Sequence, residues 1–151
     1  PLPHRLQPLG EKDGIKYYDD SISTICETTI QALNTLKDVD TVLIGGMDRG
    51  IDYSELINFL SGHKVPHIIL MEATGKRILE EILNGYPDFQ DKDRLVLTDH
   101  LEDAVAKAKE LTRPGHSCLM SPAAASYGIF KNFEERGEVF ARLVSGLDKL
   151  M

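Results

Sequence analysis

Thr41-Val42-Leu43-Ile44 is a short apolar run that leads into Gly45-Gly46 and then into the polar segment Met47-Asp48-Arg49-Gly50. A run of aliphatic residues without alternation is typical of a strand that is buried on both faces of a parallel sheet. Three later runs have the same character. The sequence therefore predicts buried strands at positions 41–44, 67–71, 94–98 and 117–120.

Amphipathic segments separate these runs. Apolar residues recur at helical spacing in five segments, at 26–36, 56–60, 78–83, 101–111 and 133–147, the last pattern ending at Leu147. Pairs with the spacing of N-terminal capping boxes precede three of the helices: Thr24 with Glu27, Asp52 with Glu55, and Asp99 with Glu102. Glycines mark expected helix ends at Gly62, Gly85 and Gly115.

The N-terminal part has a different rhythm. Short runs at 6–9 and 15–18 flank Asp13-Gly14, and Asp-Gly between two such runs is a β-hairpin signal. Together with the strand and helix alternation, this predicts a three-layer α/β domain. Its mostly parallel, six-stranded sheet carries the hairpin at or near one edge and helices on both faces. The length of 151 residues suits a single domain.

Composition narrows the classes of partner. The net charge of −7 disfavours a general nucleic-acid binder, and the sequence has no apolar run long enough for a membrane helix. Cys26 and Cys118 lack metal or redox spacing, so we interpret them as buried thiols in a reducing compartment. We therefore expect a cytoplasmic protein without nucleic-acid or membrane partners. The start at Pro1-Leu2-Pro3 is more typical of a cut inside a longer protein, or of a linker, than of a natural beginning.

Polar or glycine-containing segments follow the predicted strands, at 19–24, 45–50, 72–77, 99–100 and 121–128. In open α/β sheets the ligand crevice lies beyond the carboxyl ends of the strands. We therefore expect these segments to converge on one rim of the sheet. Its hydroxyls, carboxylates, arginine and glycine-rich backbone suit a small polar ligand.

Several of these residues also have ordinary structural interpretations. Thr24 is a good N-cap, which is worth about 1 kcal/mol. Arg49 would be a solvated charge, and Gly45-Gly46 would only permit a tight turn. Gly75-Lys76 does not form a Walker loop, because Leu70 and Arg77 occupy two of its required positions.

The C-terminal helix and the histidines invite equally ordinary interpretations. Lys131, Glu134, Glu135 and Arg136 have the composition of a solvated helix face, and Phe133 that of a core residue. The histidines have no ligand spacing, so no metal site is expected. The sequence also has no complete catalytic set. The residues alone predict a small-ligand-binding α/β domain, with helix capping by Thr74 in the third polar segment, 72–77.

Four strings in the sequence go further, and they occur in this order: Leu2-Pro3-His4-Arg5, Tyr18-Asp19-Asp20-Ser21-Ile22-Ser23-Thr24, Gly45-Gly46-x-Asp48-Arg49-Gly50-Ile51-Asp52-Tyr53 and Ser121-Pro122-Ala123-x-Ala125-Ser126-Tyr127-x-x-Phe130-Lys131-Asn132-Phe133-Glu134-Glu135-Arg136-Gly137. Together they resemble the C-terminal domain of the Mur ligases, the ATP-dependent ligases of peptidoglycan synthesis. Within that family they are most similar to the members that add D-glutamate to UDP-N-acetylmuramoyl-L-alanine. The resemblance covers essentially the whole chain, and the last string is its most specific part.

The resemblance implies a Rossmann-like domain that brings the amino acid to the reaction. It also implies two further domains that positions 1–151 do not include: a UDP-binding domain and a central ATP-binding domain, the latter being the partner over which this domain closes. ATP converts the precursor's carboxylate into an acyl phosphate, which the incoming amine attacks. ATP and Mg²⁺ would be bound mainly by the central domain, and this chain alone would be inactive.

Residue roles follow from the same resemblance. It places Thr24, Arg49, Ser126, Tyr127 and Phe133 at the amino acid. It places His4, Arg5 and Asp20 at the nucleotide, with Asp20 on the ribose side. It assigns no catalytic residue and no metal ligand to this chain.

Three positions depart from the family pattern. Arg49 stands where glutamate-adding members often have a lysine, Ile22 where some relatives have a lysine, and Met47 where some have an acid. The identity and handedness of the amino acid therefore stay open.

Alternatives to this interpretation come from several classes. One is a sibling amide ligase, such as a murein-peptide recycling enzyme or a folylpolyglutamate synthase. Others are a free-standing binding module and a phosphoacceptor receiver domain, for which Asp19-Asp20 would be the acidic pair. The receiver pattern lacks its phosphoacceptor aspartate, since Met71-Glu72 ends the relevant strand.

Overall fold

The N-terminal hairpin forms as predicted. The computed structural model describes residues 2–146. Strands β1 (Gln7–Lys12) and β2 (Ile15–Asp19) pair in antiparallel register, with Lys12 opposite Ile15. The two residues between them, Asp13 and Gly14, both have positive φ, of 53° and 84°. A two-residue turn of this kind matches the twist of paired strands, which explains why Asp-Gly is favoured there.

Strands and helices alternate along the rest of the chain. The remaining strands are β3 (Val39–Gly45), β4 (His67–Met71), β5 (Leu95–Thr98) and β6 (Ser117–Met120). The helices are α1 (Cys26–Thr35), α2 (Ser54–Gly62), α3 (Glu72–Gly85), α4 (Leu101–Leu111) and α5 (Phe133–Ser145). Leu147, where the helical pattern of the sequence ended, lies outside the described residues.

The sheet has six strands in the order β1-β2-β6-β3-β4-β5. All neighbouring strands are parallel except the hairpin at the edge, so the predicted fold class is confirmed. The last strand, β6, lies between β2 and β3. The carboxyl ends of these three strands are therefore adjacent, and the loops that leave them meet at one rim of the sheet.

Each face of the sheet packs against its own helices. Val42 and Ile44 of β3 belong to a core shared with α1, α2 and α3. Leu43, between them, belongs to a second core shared with α4 and α5. Successive strand residues point to opposite faces, so one apolar run supplies both cores. This explains why the buried strands show no alternation of apolar and polar residues.

Arg94 was predicted to begin a strand, and that prediction is wrong. It ends a short 3-10 turn, Lys92–Arg94, and β5 begins one residue later. Its guanidinium is buried and donates to the carbonyls of Leu60, His63 and Val65. Arg94 thus satisfies a carbonyl group in the last turn of α2, which the helix itself leaves unpaired, and two carbonyl groups just after the helix.

The predicted helix caps are displaced by one residue. The residues that precede α1, α2 and α4 are Ile25, Tyr53 and His100, rather than Thr24, Asp52 and Asp99. Asp52 still accepts a hydrogen bond from the backbone of Ser54. Thr24 makes no capping hydrogen bond. Its hydroxyl is therefore not accounted for by helix formation.

Candidate functional site

The rim of the sheet is built from three loops that bond to one another through their backbones. The amide of Ala123, after β6, donates to the carbonyl of Ser23, after β2, at 2.9 Å. The amide of Met47, after β3, donates to the carbonyl of Ala125, also at 2.9 Å. We call these segments the β2 loop (20–25), the β3 loop (45–53) and the β6 loop (121–132). The β6 loop joins the other two into one surface.

Glycine is required where the β3 loop leaves the sheet. Gly45 has a φ of 136°, and a Cβ atom on it would overlap the carbonyl of Met71 in the neighbouring strand. A Cβ atom on Gly46 would lie 2.6 Å from the carbonyl oxygen of Ala125 and 3.2 Å from the Arg136 guanidinium. The pair therefore does more than permit a tight turn. It lets three pieces of backbone approach closely enough to bond.

Arg136 was predicted to be solvated, and this is wrong: the side chain is only 1% exposed. Its guanidinium donates to the Ser21 hydroxyl at 2.9 Å, the Ser21 carbonyl at 2.7 Å and the Ala124 carbonyl at 2.9 Å. Burial lowers the pKa of Arg136 to about 10. Arg136 thereby ties α5 to both the β2 loop and the β6 loop.

The side chains predicted to contact the amino acid lie on these three loops and at the start of α5. Thr24 is half-buried, Ser126 is buried, and Arg49 and Tyr127 are exposed. Within residues 2–146, the side chains of Thr24, Arg49 and Ser126 have no hydrogen-bond or ion-pair partner. By contrast, the side chains of Asp48 and Tyr53, on the same β3 loop as Arg49, are engaged in hydrogen bonds.

Tyr53 and Thr74 hold the rim from beneath. The Tyr53 hydroxyl donates to the Ala123 carbonyl at 2.6 Å, and burial raises the pKa of Tyr53 to about 12. Thr74 was predicted to cap α3, but it lies inside that helix and is fully buried. Its hydroxyl donates to the Met47 carbonyl at 3.0 Å. The β3 loop is thus anchored to both α3 and the β6 loop.

His4 is fixed against the same rim. Its Nδ1 lies 2.6 Å from a carboxylate oxygen of the buried Asp19. Its ring meets the ring of Phe133 edge-on, with centroids 6.1 Å apart. The backbone amide of Ile22 donates to the His4 carbonyl. These contacts join a residue predicted at the nucleotide, His4, to one predicted at the amino acid, Phe133.

Asp20 is buried and largely occupied by internal donors. One carboxylate oxygen accepts from the backbone amide of Leu6, and the other from the hydroxyls of Ser23 and Ser121. Burial raises the pKa of Asp20, and these hydrogen bonds oppose the shift. Asp20 is also one of the residues that line a cavity of about 200 Å³, whose wall includes the exposed Arg5. Asp20 therefore stabilises the β2 loop as well as facing this cavity.

The sequence interpretation missed several residues that shape the site, chiefly Arg136, Ser21, Asp48 and Arg77. For Arg136 a signal existed. It lies three residues after Phe133 and four before Phe140, so helical spacing places it on the buried face of α5. The sequence interpretation gave more weight to the charge of Arg136 than to this spacing and therefore placed the side chain in solvent. Ser21, Asp48 and Arg77 carry no comparable periodic signal.

Curated relatives cover nearly all of this chain. One from Caldanaerobacter subterraneus subsp. tengcongensis, named UDP-N-acetylmuramoylalanine–D-glutamate ligase, is 39% identical over 145 residues, which are 95% of this chain and 31% of the relative. Another of the same name, from Chlamydia caviae, is 36% identical over 148 residues, which are 98% of this chain and 33% of the relative. Nearly the whole chain is thus similar to part of these Mur ligases. It spans about a third of the length of these curated relatives.

Solved structures share the fold of this chain. MurF ligase from Thermotoga maritima, in complex with ADP, covers 100% of the chain with a TM-score of 0.55 and 17% identity, over 33% of its own chain. A bifunctional folylpolyglutamate synthase/dihydrofolate synthase from Yersinia pestis, complexed with AMPPNP and Mn, covers 95% with a TM-score of 0.63 and 15% identity, over 32% of its own chain. No protein-family model matches the sequence.

The similarity of nearly the whole chain to these ligases sets the receiver-domain alternative aside. Two further findings describe the chain itself. No helix within residues 2–146 combines the length and the apolar character needed to cross a bilayer. In the same range, no three His, Cys, Asp or Glu side chains lie close enough together to hold a metal ion.

Proposed function

We propose that this chain is the C-terminal, acceptor-binding domain of an ATP-dependent amide ligase that adds D-glutamate to UDP-N-acetylmuramoyl-L-alanine in peptidoglycan synthesis. One observation carries the proposal. Arg49 and Ser126 lie on two loops that the Met47–Ala125 pairing joins, and neither side chain has a protein partner within residues 2–146. A cation and a hydroxyl left open on one rim suit a carboxylate-bearing ligand.

The amino acid would be held by its carboxylates, so that its amine stays free to attack. Arg49 presents a planar guanidinium, which can bind a carboxylate through two parallel hydrogen bonds. Thr24 and Ser126 would donate their hydroxyls, and Tyr127 its backbone amide. Each charge-assisted hydrogen bond is worth about 1.5–3 kcal/mol. Phe133 would close the pocket where α5 begins.

The nucleotide would lie on the side of His4, Arg5 and Asp20. The cavity of about 200 Å³ between Arg5 and Asp20 supports this placement. Arg5 would face the phosphates, and Asp20 would accept from a ribose hydroxyl with lone pairs that its internal donors leave unused. His4 would hold this segment against the rim. The similar structures with bound ADP and AMPPNP are in line with a nucleotide site in the complete ligase.

The reaction would need a second domain of the same chain. The terminal phosphoryl group of ATP passes to the carboxylate of the precursor's L-alanine and forms an acyl phosphate. The amine of D-glutamate attacks that carbonyl, an amide bond forms, and phosphate leaves. Magnesium, which neutralises phosphate charge, would be held mainly by the central domain, as the resemblance to the Mur ligases implies.

This domain's own contribution would be positioning. It would orient the amine toward the acyl phosphate and exclude water when it closes over the central domain. A UDP-binding domain would hold the rest of the precursor. The proposed location is the cytoplasm, where ATP is supplied.

Phosphate release by the complete ligase tests the proposal. The assay contains ATP, magnesium and UDP-N-acetylmuramoyl-L-alanine, with D-glutamate, L-glutamate, L-alanine or diaminopimelate as the acceptor. We expect turnover with D-glutamate, and none from residues 1–151 alone. Preferential turnover with another amino acid would indicate that the chain belongs to a sibling ligase. Turnover by the isolated chain would contradict the proposal that the central domain is required for the reaction.

A further inference from the structure

The side chain of Arg77, on α3, contacts the β3 loop at several points. Its Nε donates to a carboxylate oxygen of Asp48 at 2.8 Å, and its Nη2 donates to the Ile51 carbonyl at 2.7 Å. Its guanidinium lies over the Tyr53 ring, 5.0 Å from the centroid. These contacts fall on both sides of Arg49, the cation of the proposed amino-acid site. Arg77 therefore restrains the backbone that carries Arg49.

Other bonds leave the loop little freedom. The second carboxylate oxygen of Asp48 accepts from the Gly50 amide at 2.9 Å, which closes a turn around Arg49. At the start of the loop, Thr74 donates to the Met47 carbonyl. The backbone of Arg49 is thus held while its side chain stays open to solvent. This is the arrangement that a preorganised binding residue requires.

Charge gives Arg77 a second effect. Asp48 is adjacent to Arg49 in sequence, so an unengaged Asp48 carboxylate would compete with an acidic ligand for that arginine. Hydrogen bonds from Gly50 and then from Arg77 lower the pKa of Asp48, which stays ionised and paired. Arg77 thereby holds the negative charge of Asp48 on the α3 side of the loop.

We propose that Arg77 is a positioning residue for the acceptor amino acid, which acts through Asp48 and the Ile51 carbonyl to present Arg49 to the ligand. This inference rests on the proposed function, since it requires Arg49 to bind the acceptor's carboxylate. Arg77 itself does not touch the ligand. Its loss should weaken binding of the amino acid without affecting binding of ATP.

Steady-state kinetics of the complete ligase provide the test. Arg77→Gln should raise the KM for D-glutamate about fivefold and leave the KM for ATP within about twofold. Arg77→Lys keeps a charge for Asp48 but not the fork, so a smaller increase is expected. The matched control is Glu81→Gln, which removes the other carboxylate partner of Arg77, bonded at 2.6 Å, and should change neither KM.

A double variant separates action through Arg49 from general damage. In the Arg49→Ala background, Arg77→Gln should raise the KM for D-glutamate no further, because the residue through which it acts is gone. Three outcomes would overturn the inference. Arg77→Gln could raise the KM for D-glutamate as much in the Arg49→Ala background as in wild type, or raise the KM for ATP as much as that for D-glutamate. The third outcome is that Arg77→Gln leaves the KM for D-glutamate unchanged. If Arg49→Ala raises this KM and Arg77→Gln does not, the proposed function stands and only the inference fails. If Arg49→Ala has no effect, both fall.

Discussion

Arg136 and Ser21 are 115 positions apart in sequence, yet the arginine donates to both the hydroxyl and the carbonyl of this one serine. Ser21 in turn donates its hydroxyl to the Phe133 carbonyl at 2.7 Å, so the contact runs in both directions between the β2 loop and the start of α5. The loop that carries Thr24 is thereby locked to the helix that begins at Phe133.

Replacing Arg136 by methionine should destabilise the domain by about 2 kcal/mol, because the carbonyls of Ser21 and Ala124 would be left buried without donors. Urea unfolding measures the loss. The control is Lys131→Met, which removes one positive charge from an exposed position near the same helix. Equal unfolding midpoints for Arg136→Met and wild type would show that the buried contacts contribute nothing.

Gly137 tests the docking of the N-terminal segment. A Cβ atom there would overlap the paired side chains of His4 and Asp19, so Gly137→Ala should cost about 1–3 kcal/mol. Gly62→Ala is the matched control, since a Cβ atom at the end of α2 meets nothing within 4 Å. It should be neutral, or stabilising by up to about 1 kcal/mol. If the two variants unfold alike, the His4–Asp19 contact does not constrain this position.

Asp40 should make the free energy of unfolding depend on pH. Burial opposes its ionisation, but hydrogen bonds from the Arg113 side chain and backbone outweigh burial and lower the pKa of Asp40. A lowered folded-state pKa contributes stability above the unfolded value, about 3.9, and this is lost as pH falls through the folded value. Asp40→Asn should therefore be less stable than wild type at pH 7.

The difference between Asp40→Asn and wild type should shrink as urea unfolding is repeated below about pH 4. Asp93→Asn, at an exposed position near β5, serves as the control and should follow the wild-type curve more closely. A difference between Asp40→Asn and wild type that stays constant from pH 7 to about pH 3 would contradict a role for the ionised carboxylate.

The fold was predictable because its signals are local. Unalternating runs indicated the parallel strands, and Asp13-Gly14 indicated the hairpin. The helix starts were displaced by one residue because α1 and α2 begin after Ile25 and Tyr53, whose side chains make no capping hydrogen bond and so give no capping signal in the sequence. Arg94 was misassigned because a buried arginine that bonds to backbone carbonyls leaves no pattern in the sequence.

The candidate site was predictable only in part. Strand order could not be derived locally, although the rule that strand ends converge placed Thr24, Arg49 and Ser126 on neighbouring loops. The contacts that build the rim join residues far apart in sequence, such as Arg77 with Asp48 and Arg136 with Ser21. Such pairs depend on the finished fold. The binding roles came from family resemblance, and they stay predictions.

The proposed amino-acid site requires Arg49 to bind the carboxylate of the acceptor. The KM for the acceptor amino acid measures this binding most directly. In the complete ligase, Arg49→Ala should raise the KM for D-glutamate by at least about tenfold, the cost of one charge-assisted contact, with little change for ATP. Lys76→Ala, another exposed cation at the sheet's carboxyl end, should leave both constants unchanged. A KM for D-glutamate that is the same in Arg49→Ala and wild type would contradict the account.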